Sequence, residues 1–172
     1  MIRAPRHSPV TVACLAAFAV LAGCEREDAA AQRDRLEPWF SLGDTLSFVA
    51  RRDCAVGLYE VVTPEVKSAL PLVADVVQMQ RRIDARGAAA LDVAGQGADV
   101  AMVAMANHAR STGMAMRRAG LEARACMDDR SEGVFRHALD HPEGVIAWDA
   151  ETRMLILMTR DEGVVIAVQG DG

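Results

Sequence analysis

The chain has 172 residues, of which 51% are hydrophobic and 25% are charged, and its formal net charge is −5. This length is usual for a single domain that can bury a sizeable core. The excess of acidic residues argues against binding of nucleic acid, which requires clustered cations, and it gives no electrostatic attraction to anionic lipid.

The first 23 residues have the pattern of an export signal. Arg3, Arg6 and His7 form a basic leader, and an apolar run follows from residue 10 to residue 21. A run of this length is short for a permanent membrane span and suits a secretory signal peptide. We therefore assign residues 1–23 to the signal. Its removal changes the formal charge from −5 to −7, because two arginines and no acid are lost.

The four residues Leu21-Ala22-Gly23-Cys24 resemble the lipobox of bacterial lipoproteins. The resemblance implies diacylation of the Cys24 thiol, cleavage before Cys24 and usually acylation of the new amino terminus. Two or three acyl chains would hold the protein stably on a membrane, whereas one chain holds only marginally. The alternatives are an ordinary secretory signal and an uncleaved apolar amino terminus, with no role for Cys24 in either.

The residue after the cysteine bears on the destination of such a lipoprotein. An aspartate there retains some lipoproteins in the inner membrane, and this chain has Glu25. We therefore expect a lipid-anchored protein that faces the periplasm, with the outer membrane favoured over the inner membrane.

Residues 25–35 are charged and rich in alanine, and they lack an apolar stripe that could pack on a core. This composition predicts a flexible tether over residues 24–35. The first aromatic residues follow at Trp39 and Phe40, so we place a single α+β domain at residues 36–172.

The cysteines that remain after removal of the signal and acylation of Cys24 are Cys54 and Cys126. An even pair in an oxidising compartment predicts a disulfide bond. A loop of about 70 residues would stabilise the fold by roughly 4 kcal/mol on the chain-entropy model. Two buried free thiols are the alternative.

The sequence of the first half of the domain predicts strands followed by a helix. Residues 45–50 and 55–62 are β-competent, and at least one should form a strand. Thr63 and Pro64 resemble a helix start, which predicts a helix from Pro64 to Arg86, interrupted or restarted at Pro71. The alanine- and glycine-rich residues 88–97 favour no element.

The second half predicts two helices and then strands. The longest helix candidate runs from Ala98 to Gly120, with Gly113 as a candidate for a kink, and Ser131 can cap a helix that stops before Pro142. Three short apolar runs then predict a three-stranded antiparallel meander, at Val145 to Trp148, Met154 to Met158 and Val164 to Val168. The fold class is therefore α+β, with several helices on a small antiparallel sheet.

The central run of the meander is apolar on both faces, so both faces should be covered. The helices can cover one face. For the other we expect contact with an envelope protein or a second copy of this chain around Trp148 and Leu157. The alternative is internal cover by Trp39, Phe40 and the strands between residues 45 and 62.

Two groups of residues are candidates for metal ligands. His137 and His141 are one helical turn apart and are candidates for zinc ligands, although solvated histidines at a helix end explain them more simply. Thioethers that could bind copper(I) are numerous, but packing in the core explains them more simply. The methionines concerned are Met102, Met105, Met114, Met116, Met154 and Met158.

No catalytic pattern is evident in the sequence. A Gly-x-Ser-x-Gly elbow is absent, and Gly95-Gln96-Gly97 lacks the further glycine of a phosphate-binding loop. We therefore expect a non-enzymatic interaction or structural component of the cell envelope that needs no cofactor. A periplasmic zinc- or copper-binding protein and a small envelope hydrolase are the alternatives.

Overall fold

The computed structural model describes residues 28–171. The expected signal peptide and Cys24 lie outside the described residues. The elements are α1 (Ala29–Leu36), β1 (Phe40–Ala50), β2 (Cys54–Val66), β3 (Leu72–Val73), α2 (Val76–Arg86), β4 (Ala88–Asp92), α3 (Ala98–His108), α4 (Arg110–Ala123), a 3-10 turn (Arg124–Cys126), α5 (Asp129–Asp140), β5 (Gly144–Asp149), β6 (Met154–Thr159) and β7 (Val164–Gly170).

The strands form one seven-stranded sheet in the order β1-β2-β7-β6-β5-β4-β3. All neighbours are antiparallel except β3 and β4, which are parallel. The α+β class and the C-terminal meander are confirmed. The turn between β5 and β6 is fixed by Asp149, whose carboxylate accepts hydrogen bonds from the Glu151 backbone N–H (3.0 Å) and the Thr152 hydroxyl (2.7 Å).

One face of the sheet packs against α2, α3, α4 and α5. Strand residues that alternate along β5 and β6, such as Ile146, Trp148, Leu155 and Leu157, meet helix residues such as Met105 in this core. Trp148 is 3% exposed and Leu157 is 1% exposed. Both side chains are therefore buried by the chain's own helices, and neither is available to a partner in this conformation.

The opposite face is covered by the N-terminal part of the same chain. Leu36, Phe40, Tyr59 and Leu70 pack there with the alternate residues of the meander, such as Ile156. The internal cover that the sequence offered as an alternative is thus what the structure has, supplied by α1, the ends of β1 and β2 and the segment that follows. Both cores are built from residues between Leu36 and Val168.

The predicted tether differs from the structure over most of its length. Residues Ala29–Leu36 form a helix that is capped by Asp28, and Gln32 and Leu36 are 0% exposed. The helix lies close to β2 because Gly57 has no side chain; a Cβ atom there would overlap the side chain of Gln32. The Tyr59 hydroxyl donates a hydrogen bond of 2.9 Å to Gln32 Oε1, which satisfies this buried amide oxygen. Residues 28–35 of the predicted tether therefore belong to the packed domain.

Three boundaries in the middle of the chain also differ from the predictions. The helix expected from Pro64 begins at Val76, after the Asp75 cap, because residues up to Val66 continue β2 through an irregular register opposite β1. The unassigned residues 88–92 form β4, which pairs with β5. The long helix expected from Ala98 is two helices, because the chain turns at Ala109 (φ −134°, ψ 86°).

Candidate binding pocket and histidine cluster

A cavity of about 250 Å³ lies among α3, α4 and α5. Its apolar lining comes from Met102 on α3, Met116 and Gly120 on α4, and Phe135 and Leu139 on α5. Met102, Met116 and Phe135 are at most 7% exposed, so this part of the lining is continuous with the core. A side chain at position 120 would occupy space near Phe135, since a Cβ there would lie 3.0 Å from the end of that ring.

The rim of this cavity is mostly cationic. Arg117, Arg124 and Arg136 line it together with a single acid, Glu132. Arg124 is ion-paired with Glu132 at 3.1 Å. Arg117 and Arg136 are exposed and make no ion pair within residues 28–171. The rim therefore carries uncompensated positive charge in a chain whose net charge is −5.

Helical spacing explains how these residues converge. Gly120 and Leu121 lie three and four positions after Arg117 on α4, and Arg124, which caps the end of that helix, lies seven positions after it, so the four residues share one face. On α5 the same spacing brings Glu132, Phe135, Arg136 and Leu139 to a common face. The two faces meet because α4 and α5 pack on the same face of the sheet, where the ring of Phe135 lies next to Gly120. Sequence reasoning missed this site, although the seven-residue spacing of Arg117 and Arg124 could have indicated it.

The end of α5 forms a second polar cluster. His137, His141 and Asp161 offer ligand atoms that all lie within 4.8 Å of one another. His141 Nε2 is 3.1 Å from Asp161 Oδ2, and His137 Nε2 is 3.7 Å from Glu162 Oε1. The sequence singled out both histidines. The two acids, in the turn between β6 and β7, were missed because only the sheet register brings that turn to α5.

The hydrogen bonds of His141 bear on whether this cluster suits a metal. Its Nδ1 atom accepts a hydrogen bond of 3.2 Å from the Glu143 backbone N–H, so the neutral ring carries its proton on Nε2 and donates it to Asp161. A histidine that binds a metal normally donates from its other nitrogen. The observed arrangement is therefore that of an imidazole–carboxylate hydrogen bond, and a metal on Nε2 would require the Glu143 contact to rearrange.

The environment of Asp161 favours its ionised form. Partial desolvation raises its pKa, but the Glu162 backbone N–H and the charges of His141 and His137 outweigh that effect, so the pKa of Asp161 is lowered. A negative charge is thus kept beside two histidines.

The predicted disulfide bond is present. Cys54 and Cys126 form it with 6.0 Å between their Cα atoms, and it joins the start of β2 to the turn after α4.

The methionines do not form one copper site. Met102, Met105 and Met116 lie in the core beneath the helices, whereas Met154 and Met158 lie on the other face of the sheet, and Met114 is 45% exposed.

Comparison with known proteins adds no assignment: no protein-family model matches this chain, and no curated protein or solved structure is significantly similar to it. Among residues 28–171, none of the helices has the length and apolar character needed to cross a membrane.

Proposed function

We propose that this protein is a lipid-anchored, periplasm-facing component of the bacterial cell envelope that acts by binding and not by catalysis. The observation that carries the proposal is Leu21-Ala22-Gly23-Cys24 after a basic and apolar leader. The disulfide between Cys54 and Cys126 supports it, because such bonds persist mainly in exported proteins.

The fold constrains how an anchored domain would sit. Only residues 25–27 separate Cys24 from Asp28, the first residue that the structure describes. Even a fully extended chain would hold Cys24 within about 14 Å of Asp28. Helix α1 lies on the sheet face opposite α2, α3, α4 and α5. The domain would therefore lie close to the bilayer, with the α1 side nearer to the lipid and the pocket on the other side of the sheet.

The test is the processing of the full chain in a Gram-negative host. Membrane fractionation and intact-mass analysis should find a product that begins at Cys24 and carries acyl mass. The Cys24→Ser variant should lose both acyl mass and membrane association. The Cys14→Ser variant is the matched control, since it removes another cysteine of the leader and should be processed normally. An unacylated soluble product that begins elsewhere would reject the anchor.

The sorting of the anchored protein has its own test. Separation of inner and outer membranes by density should place the protein in the outer membrane, and the Glu25→Asp variant should move it towards the inner membrane. An unchanged distribution in that variant would show that Glu25 does not set the destination.

Contact with an envelope protein or a second copy is retained as part of this proposal, but Trp148 and Leu157 are buried and would not form it. A partner would have to use a different surface. Sedimentation of the unlipidated chain, combined with crosslinking in cells, tests for one. A monomer that captures no neighbour would leave binding of small molecules as the remaining activity.

A zinc-binding function is the second candidate, favoured by the convergence of His137, His141 and Asp161. Calorimetric titration with Zn²⁺ at neutral pH should show binding that the His137→Ala/His141→Ala variant loses. The His108→Ala variant is the control, because His108 lies at the end of α3, outside the cluster. Absence of binding tighter than micromolar, or equal binding by all variants, would remove this candidate.

A further inference from the structure

The cavity among α3, α4 and α5 combines two properties that one kind of small molecule would use together. Its inner part is apolar and buried, lined by Met102, Met116 and Phe135. Its volume of about 250 Å³ lies just below the range of about 300–1,000 Å³ that is usual for pockets of drug-sized ligands. The available space therefore suits a short apolar group and not a bulky one.

The rim selects the sign of the ligand's charge. Arg117 and Arg136 have no acidic partner within residues 28–171, and Arg124 already shares Glu132. A guanidinium group binds a carboxylate with two parallel hydrogen bonds, which makes arginine well suited to such a headgroup. Three cations against one acid would repel a ligand with a positive head.

From these features we propose that this cavity binds a small amphiphilic anion, namely a carboxylate with a short alkyl chain. The chain lies against the apolar inner lining, and the carboxylate lies at the rim between Arg117 and Arg136. This site is independent of the lipid anchor, because every residue of it belongs to the folded domain.

A membrane surface is the other partner that the exposed residues on α4 suggest, since Leu121 is 65% exposed and Met114 is 45% exposed. The position of α1 argues against it. The chain enters the domain through α1, on the opposite face of the sheet from α4. An anchor within reach of Asp28 would thus hold the other side of the domain against the lipid, and the cavity would open towards the aqueous compartment.

The experiment is titration of the chain that begins at residue 24 and carries Cys24→Ser. This chain has no acyl group and retains both cores, which lie between Leu36 and Val168. Octanoate is the probe, and octylammonium and 1-octanol are the controls of equal chain length. Amide chemical shifts recorded by NMR locate the site. Octanoate should bind at least tenfold more tightly than octylammonium, and the shifts should cluster at Met102, Gly120 and Phe135.

Two pairs of variants separate the rim from general surface charge. Arg117→Gln/Arg136→Gln should weaken octanoate binding by about three- to tenfold, as expected for the loss of two exposed charge contacts, and should leave 1-octanol binding unchanged. Arg118→Gln/Arg130→Gln is the matched control; it removes the same charge from the same two helices, outside the cavity lining. Thermal melts should show that both pairs remain folded.

Several results would overturn the proposal. These are equal affinity for octanoate and octylammonium, shifts that cluster outside the cavity, and an equal loss in both pairs of variants. Absence of octanoate binding at millimolar concentration would overturn it too. Recruitment to anionic vesicles without binding of monomeric octanoate would replace it with a membrane-contact surface. A failure of Cys24 acylation would not affect any of these measurements.

Discussion

Substitution of Gly113 by alanine is the sharpest test of the helical layer. Gly113 is a buried residue in the first turn of α4, where that helix folds back on the end of α3. A Cβ atom at this position would lie 2.7 Å from the Cβ of Ala106, and closer still to the backbone nitrogen and Cα of that residue. A backbone cannot move aside as a flexible side chain can, so α3 and α4 would have to separate.

The size of the effect follows from two opposed terms. Overpacking of a well-packed site costs about 1–3 kcal/mol, and the upper part of that range applies because the obstacle is backbone. Replacement of glycine by alanine inside a helix raises the free energy of unfolding by up to about 1 kcal/mol, because alanine has the higher helix propensity. The Gly113→Ala variant should therefore be less stable than the parent chain by about 1–2 kcal/mol.

Gly133→Ala is the matched control. Gly133 is also inside a helix, but nothing lies within 4 Å of the position that a Cβ atom would take there. Only the helix-propensity term applies, so this variant should gain up to about 1 kcal/mol. The two variants should thus differ by about 1–3 kcal/mol, and with a urea dependence of about 2 kcal/mol per molar their unfolding midpoints should differ by about 0.5–1.5 M.

Equilibrium urea unfolding followed by far-UV circular dichroism provides the measurement. Both variants should keep the slope of the parent chain, so that the midpoints report stability alone. A Gly113→Ala variant as stable as the parent would show that α3 and α4 are not held in close contact at this point. A destabilised Gly133→Ala variant would show that open space at the Cβ position does not predict whether an alanine is tolerated there.

Three further outcomes are expected. The Cys54→Ala/Cys126→Ala variant should lose roughly 4 kcal/mol of unfolding free energy, because the bond spans 72 residues, and thiol labelling of the denatured, unreduced parent should find neither cysteine. The pKa of Asp128 is lowered mainly by the hydrogen bond from the Ser131 backbone N–H, so the ionised carboxylate stabilises α5. This stabilisation is complete above the ordinary aspartate pKa of about 3.9, and it is lost as the pH falls through the lower pKa of the folded state. The urea midpoint of the Asp128→Asn variant should therefore approach that of the parent below about pH 4. Tyr59→Phe removes the hydroxyl that donates to the buried glutamine of α1 and should cost about 1–3 kcal/mol, with faster amide exchange in α1.

The local sequence was sufficient to predict several elements. The meander could be predicted because three apolar runs are separated by polar turns. The start of α5 was readable within a few residues, because Asp128 and Ser131 form a capping box. The pairing of Cys54 and Cys126 was predictable because two cysteines remained for an oxidising compartment.

Local sequence was not sufficient to predict α1 or β4 as packed elements. Helix α1 has eight residues, too few to be stable alone, and it exists because it docks on Gly57 and Tyr59 of β2. Strand β4 begins with three alanines, which favour strands poorly, and it exists because it pairs with β5.

By itself, the sequence determined that the sheet has two apolar faces and that Trp148 and Ile146 lie on the same side of their strand. It did not determine which face the helices cover, because alternation of side chains is equally satisfied by either choice. The tertiary structure decided that the helices bury Trp148 and Leu157 and that α1 covers the opposite face. It also brought the arginines of α4 and α5 around one cavity, since residues far apart in the chain become neighbours only when both helices pack on the same sheet.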